Sequence, residues 1–72
     1  MNTKYPLLSV ESVEVAKMFR DALSSKFESR NLNFFIVKAT DRLHVQLMDD
    51  VSDELYLMIY QYAQKIYREF YE

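Results

Sequence analysis

The hydrophobic positions of the chain follow a helical period, then a period of two, then a helical period again. Over residues 10–29, steps of 100° gather Val15, Ala16, Phe19, Ala22, Leu23 and Phe27 into one arc and set Glu14, Lys17, Asp21, Ser24 and Glu28 opposite. This predicts an amphipathic helix with Val13 and Met18 on its shoulders. Ser9 is placed to cap its first turn, and Glu11 suits the positive end of the helix dipole. Arg30-Asn31 closes the other end, because Asn is the best substitute for glycine in a left-handed cap.

Residues 32–39 and 42–48 alternate with period two and are rich in β-branched and aromatic side chains, which predicts two strands. A loop centred on Thr40-Asp41 pairs Lys38 with Leu43, Ile36 with Val45 and Phe34 with Leu47. One face of the hairpin then carries Leu32, Phe34, Ile36, Leu43, Val45 and Leu47. A one-residue slip would mix His44 and Gln46 into that face. The second face carries Phe35, Val37, His44 and Met48 beside Asn33, Arg42 and Gln46, and both strands are expected to be open edges.

The second helix is expected over 51–71, with Asp50 as its cap and Asp53 and Glu54 in its first turn. Val51, Leu55, Ile59, Tyr62, Ala63, Ile66 and Phe70 form its core arc. Beside that arc runs a second stripe of Tyr56, Tyr60, Tyr67 and Tyr71, while Glu54, Gln61, Lys65 and Arg68 hold the polar side. Residues 1–9, with Pro6, read as an extended lead-in. The expectation is therefore a single α+β domain over 1–72 in the order helix-strand-strand-helix. Two helices pack on one face of an antiparallel β-hairpin, and dimerisation completes the fold.

That last step follows from size. Two strands alone are marginal, and a chain of 72 residues draws only about 3–5 kcal/mol of net stability from its own core. Six tyrosines and five phenylalanines give this short chain more ring surface than it is expected to bury alone. Tyr56, Tyr60, Tyr67 and Tyr71 on the helix, with Phe35, Val37, His44 and Met48 on the hairpin, are the candidate interface residues. Symmetric association by strand addition or by the tyrosine stripe would cover them.

Charge and missing residue types narrow the chemistry. Nine basic against eleven acidic residues leave a net charge of −2, so no broad basic field disposes the chain to nucleic acid. The absence of glycine removes the phosphate-cradling loops and the nucleophile elbow. The absence of cysteine removes disulfides and thiolate chemistry and suits the cytoplasm, the expected location. Residues 1–8 lack the apolar run of a signal peptide, and no window is long and apolar enough for a membrane span.

Asp49, Asp50, Asp53 and Glu54 cluster where a helix start explains them, without the spacing of a calcium loop. His44 has no convincingly spaced partner for acid–base work and reads as a half-exposed sheet residue. Lys17, Arg20, Lys26 and Arg30 are interleaved with acids and form no single-sign stripe. No cofactor and no enzymatic activity are expected. The order of helix, hairpin and long C-terminal helix is similar in outline to small DinI-like regulators, which bind recombinase filaments in bacterial and phage stress responses. The strongly acidic terminal helix of that group has no counterpart here, since residues 55–72 hold only Glu69 and Glu72 as acids. The expected function is a small protein-interaction module of bacterial or phage type that binds itself and a second protein. The alternative is a nucleic-acid-associated regulator.

Overall fold

The computed structural model describes residues 6–72, so residues 1–5 of the expected lead-in, Tyr5 among them, lie outside the described residues. The remainder of that lead-in is structural. Leu8–Val10 forms a strand, β1, and Leu7 just before it is fully buried. The chain continues through helix α1 (Val13–Lys26), a 3-10 turn (Glu28–Arg30), strands β2 (Phe34–Lys38) and β3 (Leu43–Leu47), and helix α2 (Asp53–Tyr71). The α+β class and the helix-strand-strand-helix order hold, with β1 added in front.

The hairpin has the expected register: Phe34 faces Leu47, Ile36 faces Val45 and Lys38 faces Leu43. Its environment differs from expectation. β1 pairs antiparallel with β3, Leu8 opposite Val45 and Val10 opposite Leu43, so the sheet order is β1-β3-β2 and β3 is central. The expectation that both hairpin strands are open edges is therefore corrected: only β2 is. Leu8 and Val10 alternate with Ser9 and bury their side chains over β3, which holds 8–10 extended and delays the helix by three residues.

The caps move accordingly. Ser12, not Ser9, accepts the Val15 amide at 3.4 Å, because Ser9 is committed to the sheet. At α2, Ser52 rather than Asp50 accepts the Leu55 amide at 3.2 Å, with Asp53 and Glu54 in the first turn as the dipole favours. Asn31 does take the left-handed conformation, φ 55° and ψ 43°, and ends the 3-10 turn through its amide to the Glu28 carbonyl.

One face of the sheet supplies Leu8, Val10, Phe34, Leu43, Val45 and Leu47 to the core. Ala16, Phe19, Leu23 and Phe27 from α1 and its C-cap close over them, joined by Ile59 and Ala63 of α2. α1 packs on all three strands, whereas α2 packs on α1 and on β1 at the side. Phe70, expected in the core arc, is exposed near the end of α2, with its ring edge-on to Phe19 at 5.4 Å.

Candidate interaction surfaces

The structure divides the expected interface residues between two surfaces. Phe35, Val37 and His44 project from the face of the sheet opposite the helices, with Val37 directly across from His44 and Phe35 across from Gln46. All are half-buried, and Met48, just past β3, is exposed. The four tyrosines belong to α2 on the helix side.

His44 has a partner that its sequence neighbourhood does not disclose. Ser9 lies opposite it on β1, and Ser9 Oγ and His44 Nδ1 share a hydrogen bond of 2.5 Å. Nε2 of His44 has no hydrogen-bond partner among the described residues, and the Ser9 carbonyl is occupied by Arg42 Nη2 at 2.9 Å. The contact ties β1 to β3, and among the described residues no third group hydrogen-bonds His44. Its signal in the sequence was the alternation Leu8-Ser9-Val10, too short to be read as a strand.

The tyrosine stripe is two structures. At its C-terminal end Tyr67 packs on Phe19 at 6.1 Å, and Tyr71 packs on Tyr67 at 4.8 Å and on Phe70 at 4.9 Å, so Tyr67 covers the flank of α1. At the other end Tyr56 and Tyr60 join Leu57, Asp53 and Pro6 around an open groove of about 680 Å³ lined mainly by apolar surface. Gln64 separates the two, its amide turned inward to the Leu7 carbonyl at 2.6 Å. Leu57, 54% exposed, lines the groove, whereas Met58, 53% exposed, stands about 100° further round the helix, away from Tyr60; neither falls on the tyrosine spacing. An exposed leucine between tyrosines is what a desolvated protein contact uses.

The acidic cluster has local work. Asp49 accepts the Asn33 amide at 2.6 Å and locks the end of the hairpin, while Asp53 and Glu54 begin α2. Among the described residues no group of three or more His, Cys, Asp or Glu is placed to hold a metal ion, and no helix is long and apolar enough to cross a membrane. Lys26 lies over the Tyr62 ring at 5.3 Å, and Arg20 pairs with Asp21 at 3.3 Å, so two of the three basic residues of α1 are locally engaged. No protein-family model, curated protein or solved structure matches the chain.

Proposed function

We propose that the protein is a small non-enzymatic interaction module that works as a homodimer and binds a second protein through the outer face of α2, as an adaptor, inhibitor or regulator. The observation that carries this reading is the apolar groove of Pro6, Tyr56, Leu57 and Tyr60, with Leu57 and Tyr60 held in solvent on one helix. Tyrosine and leucine side chains presented on one helix face fit a hydrophobic partner surface, and the few rotatable bonds of tyrosine lower the ordering cost of binding.

The test is affinity capture from the cells that express the protein, repeated with Leu57→Asp and Tyr60→Ala. Both positions are exposed, so the variants keep the native circular dichroism spectrum. Loss of the captured partner supports the reading, and capture of the same partner at native yield rejects it. Sedimentation at high micromolar concentration tests the homodimer, and a monomer of 8.7 kDa there removes that part.

A further inference from the structure

We infer that two copies join through β2, edge to edge and antiparallel, with Ile36 on the two-fold axis. The inference rests on the homodimer reading and assigns that dimer its surface. The two edges of the sheet differ. At the β1 edge, side chains occupy the backbone: Gln64 donates to the Leu7 carbonyl at 2.6 Å and Arg42 to the Ser9 carbonyl at 2.9 Å. β1 is also only three residues long. The β2 edge has five residues, Phe34–Lys38, and among the described residues no side chain donates to its outward backbone groups.

The hydrogen-bond pattern fixes which groups of β2 are available. Met48 donates to the Asn33 carbonyl and Ala39 donates to the Arg42 carbonyl, each at 2.8 Å. In an antiparallel ladder these bonds recur at every second residue, so Phe35 and Val37 turn their backbone groups toward β3. The amides and carbonyls of Phe34, Ile36 and Lys38 therefore point outward, and none has a hydrogen-bond partner among the described residues.

The outward groups are self-complementary. With Ile36 opposite Ile36 of the second copy, Phe34 falls opposite Lys38 and Lys38 opposite Phe34, and every outward amide and carbonyl of the strand finds a partner. The same register sets Phe35 against Val37 on the open face, an aromatic and β-branched match, and keeps the two Lys38 ammonium groups apart. Slipping by two residues loses one of the three hydrogen-bonded pairs. The product is a sheet of order β1-β3-β2-β2-β3-β1 whose outer edges are the two covered β1 strands, so association closes at the dimer. The α2 groove, on the β1 side of the fold, stays free for the second protein.

Site-resolved amide exchange of the full chain, read by NMR alongside sedimentation, tests this. Expected is slow exchange at Phe35 and Val37 at every concentration, and protection of Phe34, Ile36 and Lys38 that rises at least about 10-fold with the dimer fraction. Ile36→Pro removes one outward donor and no β2–β3 bond, and is expected to weaken dimerisation about 10-fold or more in a chain that stays folded. Should that variant unfold, the exchange data decide alone. A dimer in which Phe34, Ile36 and Lys38 remain unprotected overturns the β2 assignment and leaves the homodimer standing. A monomer at all concentrations overturns both, and then gives the free edge to a strand from a different protein.

Discussion

The amide of Gln64 on α2 donates to the backbone carbonyl of Leu7 across 57 positions of sequence, at 2.6 Å. This bond joins the last helix to the first strand, satisfies an outward carbonyl at the sheet edge, and interrupts the tyrosine stripe. Replacing the side chain with an apolar one of similar length leaves that carbonyl partly buried and unpaired. Gln64→Leu is therefore expected to lower stability by about 1–2 kcal/mol. The measurement is the urea midpoint at fixed protein concentration, since association shifts apparent stability. An unchanged midpoint would show that water replaces the amide at no cost.

Leu7 offers a sharper test of the N-terminal segment. A residue in an extended lead-in should tolerate truncation within about 0.5 kcal/mol. Leu7 is instead fully buried among the core residues, so Leu7→Ala is expected to cost about 3 kcal/mol from lost transfer and the cavity left behind. Because a domain this small holds about 3–5 kcal/mol in total, much of the variant population should be unfolded at 25 °C by circular dichroism. A variant melting like the native chain would return Leu7 to the lead-in.

Asn31 is the single non-glycine residue at positive φ among the described residues. The left-handed region costs a residue with an ordinary Cβ about 1–2 kcal/mol, less for Asn, whose short amide bonds locally, and nothing for glycine. Asn31→Ala should accordingly destabilise by about 1 kcal/mol, whereas Asn31→Gly should hold or raise the midpoint. Equal loss in both variants would mean that the Asn side chain, rather than the backbone angle, is what the turn requires.

The hairpin was legible in the sequence because its information is local. Period-two alternation on both sides of Thr40-Asp41 admits one register that keeps Phe34, Ile36, Val45 and Leu47 together, and that register is present. Asn31 was legible for the same reason. β1 was hidden, since Leu8-Ser9-Val10 is short and Val10 also continues the helical period of the next segment. Once β1 is missed, the errors propagate: Ser9 is taken for a cap, β3 for an edge, and His44 for a residue without a partner. Ser9 and His44 meet only through the β1–β3 pairing, 35 positions apart, and periodicity carries no information about such meetings. The tyrosine stripe was correctly spaced on the helix, but spacing alone does not say where the neighbouring elements end. α1 covers Tyr67, and α2 outruns that cover at Tyr71.

That division of the stripe yields opposite outcomes at two tyrosines seven residues apart. Tyr67 is half-buried with its ring on Phe19, so Tyr67→Ala removes an aromatic pair and the area beneath it, at a cost of about 2 kcal/mol. Tyr60 is 38% exposed at the wall of the groove, and Tyr60→Ala should change stability by no more than about 0.5 kcal/mol. Partner capture should show the reverse order, lost with Tyr60→Ala and retained by the folded fraction of Tyr67→Ala. Urea unfolding of both variants at one protein concentration, paired with capture normalised to folded protein, reads the two quantities separately. If Tyr60→Ala destabilises as much as Tyr67→Ala, then Tyr60 is part of the fold's own packing and Leu57 must account for binding at the groove without it.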